Sequence, residues 1–257
     1  LYFRDQAPLR GFDPALRAAA TEALQAAGVQ LHPGQAPVRL QRHGDGLELQ
    51  FDGRPAQPFP WVLNATGRRP NTAGLPLPLD ARGAVVVDDR LQTAWPGVYA
   101  IGDVTDRRNL TPVAIAEGRA LADTLFGPTA RQVDLTRVPS AVFMIPPLAS
   151  VGPTEPEALA AGHRLRVYET AFRPMKTAFA GRGERTLMKL LVDDDSDRVL
   201  AAHMAGADAP EIIQALAVAL TAGATKADVD RTLAMHPTAA EEFVLMREPV
   251  RRVSPQA

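Results

Sequence analysis

The sequence predicts an α/β chain that gives way to a separate α+β domain. Strand-like runs and two helix patterns interleave over the first half of the chain. A break in composition falls around Gly127 to Pro139. Beyond it strands come first and helices last, the order expected of a sheet with helices gathered on one side.

The first half supports this element by element. The opening run Leu1-Tyr2-Phe3-Arg4 has strand character. Asp13 is a good N-cap, Pro14 suits the first helical position and Gly28 suits the end, so a helix is expected between them. Val29 to Leu31 begins a short strand. Val38–Leu40 and Leu47–Phe51 alternate apolar and polar residues around His43-Gly44-Asp45-Gly46, which predicts a hairpin. Trp61–Leu63 leads as a strand into the turn at Gly67-Arg68-Arg69-Pro70. Two more strands are expected at Ala84–Val87 and Val98–Ile101, and a helix from near Pro112 to Phe126.

Beyond the break, strands are expected at Ala141–Phe143, Leu165–Tyr168, Thr186–Val192 and Val199–Met204, the last two joined by an acidic turn. Two helices close the chain. One spans Pro210–Ala222, with Ile212, Ile213, Leu216 and Leu220 on one face, and the other Pro237–Met246. The tail Arg251–Ala257 is expected to fray.

Composition narrows the function classes. Hydrophobic residues make up 46% and charged residues 22%, enough for one large or two modest cores. Lys+Arg 28 against Asp+Glu 29 leaves a net charge of −1, which gives no electrostatic reason to expect nucleic acid or an anionic membrane. No apolar run approaches the roughly 18 residues of a membrane span, and the first residues lack the marks of a secretory leader. With no cysteine, the chain itself holds no disulfide, thiolate metal site or redox dithiol. A cytoplasmic setting is the default expectation.

Four places can carry chemistry. Gly102-Asp103 ends a buried-looking strand, the edge where open α/β sheets bind ligands, and an Asp there can accept from sugar or ribityl hydroxyls. Eight residues on, Thr111-Pro112 reads as a capped helix start whose free N–H groups and dipole favour negative charge. Arg4 and Arg10, just past a strand, can clamp a phosphate, although arginines near turns are common. Near the C-terminus His236 is followed five residues on by Glu241, and an adjoining carboxylate can fix the tautomer of an imidazole and keep it basic. Glu241 and Glu242 also suit a helix dipole. The run Asp193-Asp194-Asp195 reads as a solvated turn, and His32, His43, His163 and His203 as surface or structural residues.

Six segments then occur in order: ATGRRPNT, GVYAIGDV, LTPVAIAEGRALADTLFG, SAVFMIPPLASVGPTEPEA, FRPMK and TKADVDRTLAMHPTAAEEFV. From Leu1 to Arg247 the chain resembles the C-terminal part of the flavin-dependent pyridine nucleotide–disulfide oxidoreductases, and most closely their glutathione-disulfide-reducing branch. The resemblance implies a homodimeric flavoenzyme in which NADPH reduces FAD, the flavin reduces a cysteine pair, and the dithiol reduces glutathione disulfide. The cysteine pair and the Gly-rich nucleotide turns of that family have no counterpart in these residues. The chain is therefore expected to be a C-terminal half, inactive alone. It would comprise partial α/β lobes of the NAD(P)- and FAD-binding type (residues 1–75 and 76–135) and an α+β dimerisation domain (136–257).

Carried over residue by residue, the resemblance implies that Asp103 holds the flavin ribityl chain and that Thr111 opens the helix facing its ring. Arg4 and Arg10 would clamp the NADPH 2′-phosphate. Arg119 would meet a glutathione carboxylate, and Met175, Thr238 and Glu242 would line the substrate pocket. His236 and Glu241 would be the acid–base pair reaching across the dimer. A lipoamide-dehydrogenase-like member is the nearest rival, but Ala234 stands where that branch has a second histidine. The trypanothione branch lacks an arginine at position 119. A third possibility is a non-catalytic dimerisation fragment.

Overall fold

A computed structural model describes residues 1–255. The chain divides into two compact units: Leu1–Val62 with the residues from Thr136 onward, and Leu63–Leu135.

In the first unit β1 (Tyr2–Phe3) pairs in parallel with β2 (His32–Pro33), joined by α1 (Pro14–Ala26). The expected cap is present. Asp13 accepts a hydrogen bond from Ala15 N–H at 2.9 Å, and Pro14 sits in the first turn, where a missing N–H costs nothing. Gly28, at φ +80°, follows the last turn in the left-handed conformation that glycine favours. Next come β3 (Pro37–His43), β4 (Gly46–Phe51) and β5 (Gln57–Phe59), an antiparallel meander whose first hairpin turns at Gly44-Asp45 as predicted.

The second unit departs from expectation. Ala84–Val87 and Val98–Ile101 form no ladder. They contribute only the isolated bridges Leu79↔Val85 and Gln92↔Tyr99. Leu63, and Trp61 at the edge of the first unit, belong to no strand and are 80% and 72% exposed. The backbone of Ala84–Val87 and Val98–Ile101 does find acceptors, Val85 N–H donating to Val104 O at 2.9 Å and Ala100 N–H to Leu91 O at 3.0 Å, but among the described residues these bonds stay single and do not continue as a ladder. A 3-10 turn at Gly102–Thr105 and α2 (Thr111–Phe126) complete the unit.

The rest of the first unit is one six-stranded sheet. Its elements are β6 (Ser140–Val142), β7 (Leu148–Val151), α3 (Glu155–Ala160), β8 (Leu165–Phe172), α4 (Met175–Phe179), β9 (Thr186–Asp193), β10 (Val199–Ala205), α5 (Ala209–Thr221), α6 (Lys226–Arg231), α7 (Glu241–Leu245) and β11 (Arg251–Val253). The strand order is β11-β8-β9-β10-β7-β6, with every pair antiparallel. The expected fraying of the tail is wrong for Arg251–Val253, which pairs with β8 from Arg251↔Val167 to Val253↔Leu165. The remainder of that expectation, Gln256 and Ala257, lies outside the described residues. The closing helix is shorter than the predicted Pro237–Met246 because its start is taken up by the loop carrying His236.

Alternation along the strands makes two buried faces. Met188, Leu190 and Val192 of β9, with Ala202 and Met204 of β10, pack under Ile213, Ala217 and Leu220 of α5 and Phe243 of α7. On the opposite face Ala158 of α3 joins Leu191 and Ala201, while Leu16 and Ala20 of α1 join Leu148 and Ala205. Lys189 and His203, directly paired across β9 and β10, lie in that second apolar face, and both are buried.

Candidate active site

The loop between α6 and α7 presents His236, and the first residue of α7 holds it. His236 Nδ1 lies 3.0 Å and 3.2 Å from the two Glu241 carboxylate oxygens. A carboxylate only accepts, so Nδ1 carries the proton of the neutral ring and Nε2 is left with a free lone pair. Glu241 is in turn fixed at the helix start. Its N–H donates to Thr238 Oγ1 at 3.2 Å, and one of its carboxylate oxygens accepts from Thr238 N–H at 3.4 Å. The side chains are 70% exposed at His236 and 11% at Glu241, so a half-buried acid holds an imidazole that faces outward.

The structure thus joins three predicted residues, His236, Thr238 and Glu241. Glu242 is half-buried and forms no side-chain hydrogen bond among the described residues. Met175 opens α4 and is 62% exposed.

Elsewhere in the first unit, Arg4 and Arg10 are exposed, and neither side chain has an ion-pair partner among the described residues. The loop between them is held by a residue that sequence reasoning missed. From α1, Arg17 donates through Nε to Pro8 O at 2.9 Å, and through Nη2 to Asp5 Oδ2 at 2.8 Å and Ala7 O at 2.5 Å. Leu9, at φ +56°, and Gly11, at φ +90°, make the turn that Phe12 N–H closes onto Leu9 O at 3.1 Å.

In the second unit Asp103 lies in the 3-10 turn. Its carboxylate is 52% exposed, and Arg68 Nε is 3.9 Å away. Gly102, at φ +70°, brings this turn against α2, where a Cβ would come within 3.0 Å of Ala114 Cβ. Another unforeseen residue secures the contact. Glu117, 1% exposed, accepts from Gly102 N–H at 2.7 Å and from Arg107 Nη2 at 2.5 Å. Its signal was present, since Val113, Glu117 and Ala120 share the helical spacing of a buried stripe. Thr111 is not the expected capped start. The N-cap is Leu110, which makes no side-chain bond, so the N-terminus of α2 keeps its uncapped polarity. Arg119, exposed on α2, has no ion-pair partner among the described residues.

Asp13, Lys189 and His203 form a buried polar group apart from these sites. Burial alone would raise the Asp13 carboxyl, but His203 and Lys189 beside it hold it below the ordinary carboxylate range. Burial pushes His203 down to about 4, against the pull of Asp13. Among the described residues no cluster of His, Cys, Asp or Glu could hold a metal ion, and no helix is long and apolar enough to cross a membrane.

Comparison with known proteins matches both parts of the chain. Residues 1–118 match the family described as "Pyridine nucleotide-disulphide oxidoreductase", and residues 138–247 match its "dimerisation domain". A "Glutathione reductase" of Burkholderia cepacia is 49% identical over 244 residues, which is 93% of this chain and 54% of that protein. A "Trypanothione reductase" of Trypanosoma congolense is 38% identical over 256 residues, covering 97% of this chain and 52% of its own length. The chain therefore spans about half the length of the curated relatives it matches. Among solved structures, the HOCl-induced flavoprotein disulfide reductase RclA of Escherichia coli superposes with a TM-score of 0.84 at 26% identity, over 95% of this chain and 57% of that one.

Proposed function

The chain belongs to the pyridine nucleotide-disulphide oxidoreductases, and from that premise we propose that it works as the C-terminal part of an NADPH- and FAD-dependent reductase of glutathione disulfide. The observation that carries this reading is the His236–Glu241 pair, an outward imidazole whose inner nitrogen is fixed by a helix-start carboxylate.

The residues present fit the two cofactors as parts of a larger site. Asp103 offers a half-exposed carboxylate on a 3-10 turn, suited to ribityl hydroxyls, and the uncapped start of α2 at Thr111 suits an electron-rich ring. Arg4 and Arg10 offer two free guanidinium groups on one tethered loop, suited to a 2′-phosphate and so to NADPH over NADH. When bound, FAD supplies the two-electron relay between NADPH and a cysteine pair. That pair lies outside these 257 residues, which contain no cysteine.

The chain's own residues then manage protons and substrate. As one thiolate of the dithiol attacks glutathione disulfide, a mixed disulfide forms and a glutathione thiolate departs. His236 Nε2 takes the proton that the dithiol loses as its thiolate forms and gives it to the departing glutathione thiolate, while Glu241, holding Nδ1–H, steadies the transient imidazolium. Thr238 keeps Glu241 in place and, with Met175 and Glu242, lines the pocket. Arg119, free of internal partners, pairs with a substrate carboxylate and favours glutathione over a less acidic disulfide. The dimerisation domain joins two copies so that each His236 serves its partner's dithiol.

In the complete dimer, His236→Gln should lower turnover by roughly 10²–10⁴-fold, while NADPH still reduces the flavin at the original rate in rapid mixing. Unchanged turnover, or slowed flavin reduction, would remove the acid–base assignment.

A further inference from the structure

Charge is buried where α1 meets the sheet. Lys189 stands on β9 between the apolar Leu187 and Leu191 and is 2% exposed. Its ammonium donates to Asp13 Oδ1 at 2.8 Å and to Glu155 Oε2 at 2.7 Å. Asp13, 0% exposed, uses the rest of its carboxylate on backbone. Oδ1 also accepts from Ala15 N–H, and Oδ2 accepts from Glu155 N–H at 3.0 Å. An apolar residue at position 189 would fill this face without a desolvation cost, so cohesion does not explain a lysine there. Directed bonds do something apolar contact does not: they fix the position and rotation of a helix start.

That helix start governs the nucleotide loop. Asp13 caps α1, and one turn on Arg17 holds Asp5, Ala7 and Pro8, the stretch between Arg4 and Arg10. Leu9 packs against the apolar cluster that joins Leu16 and Ala20 of α1 to Leu148 and Ala205. A line of hydrogen-bonded groups runs from the centre of the sheet to the loop that carries the two exposed arginines.

We propose that Lys189 is a positioning residue for nucleotide selection: through Asp13 it sets α1, and through α1 the loop that presents Arg4 and Arg10 to the 2′-phosphate. The proposal rests on the assignment of those arginines made above. Lys189 touches neither cofactor nor substrate, and acts only by placing groups that do.

The test uses the complete enzyme and compares KM for NADPH and NADH. Lys189→Met keeps much of the side-chain volume and removes the ammonium. It should raise KM for NADPH about ten- to a hundredfold, as a small misplacement does, and leave KM for NADH nearly unchanged. Lys189→Arg, which restores the charge, should recover most of the difference. Equal effects on both nucleotides, or no rescue by arginine, would overturn the proposal. If Lys189→Met fails to fold, Asp13→Asn combined with Lys189→Met leaves no uncompensated buried charge on this pair and takes its place with the same expectations. Arg10→Ala separates this proposal from the reading beneath it. A preserved NADPH preference in Arg10→Ala removes the clamp itself. A collapsed preference there, with Lys189→Met keeping the parent's preference for NADPH, removes only the role of Lys189.

Discussion

His203 sits opposite Lys189 with its ring buried, neither nitrogen hydrogen-bonded among the described residues, and Asp13 Oδ2 3.7 Å from Nε2. Sequence reading left it as a surface or structural histidine, and the buried alternative is the one the fold realises. A pH dependence follows. The native ring titrates at about 4, whereas an unfolded histidine titrates at 6.5. Between those values the unfolded chain binds a proton that the native chain refuses, so stability falls as pH drops from 6.5 toward 4 and this group adds no further loss below that. The gap is worth about 3 kcal/mol. Asp13, whose carboxyl is lowered, adds a loss only in more acidic solution. Urea unfolding at pH 7 and pH 4.5 should show this decline in the parent chain and a flatter profile in His203→Gln. Parallel profiles would contradict the burial argument.

Among the elements, α2 shows how one acid can secure a neighbouring turn. Glu117 fastens the 3-10 turn that carries Asp103 by accepting from Gly102 N–H. Glu117→Ala leaves that buried donor unsatisfied and frees Arg107, a loss of about 1–3 kcal/mol. Hydrogen exchange should accelerate at Gly102 to Thr105, and if the proposed flavin site holds, FAD affinity of the complete protein should weaken with it. Protection equal to the parent would refute the role. Some elements were legible beforehand and others were readable but passed over. The caps of α1 and the Gly44-Asp45 hairpin act through residues a few positions apart, and both were expected. The boxes Thr154/Glu157 and Thr225/Asp228 carry the same kind of local signal and start α3 and α6, which were not expected.

For the whole molecule, surface chemistry and family point to self-association. Phe143, Ile145, Phe179, Leu233 and Met235 are 84%, 90%, 95%, 94% and 75% exposed, and all five lie in the stretch that matches a dimerisation domain. Scattered exposed apolar residues need no explanation, but five so open in one domain favour a covered face. Sedimentation of the 257-residue chain at micromolar concentration should give a dimer, and Leu233→Asp with Met235→Asp should shift it toward monomer. A monomeric parent chain would count against a homodimer built on this domain.

Short-range chemistry along the chain was enough for the capped start of α1, the hairpin at Gly44-Asp45 and the His236–Glu241 pair, five residues apart. Each depends on groups that meet whatever the rest of the chain does. The folded chain alone decides the rest. Lys189 and Asp13 stand 176 positions apart, and only the packing of α1 on the sheet makes them partners. Arg251–Val253 becomes a strand because β8 offers an open edge, while Ala84–Val87 and Val98–Ile101, with equal strand character, make only isolated bridges and no ladder. Backbone pairing and charge burial are settled by what lies alongside in space, and no window of sequence holds that information.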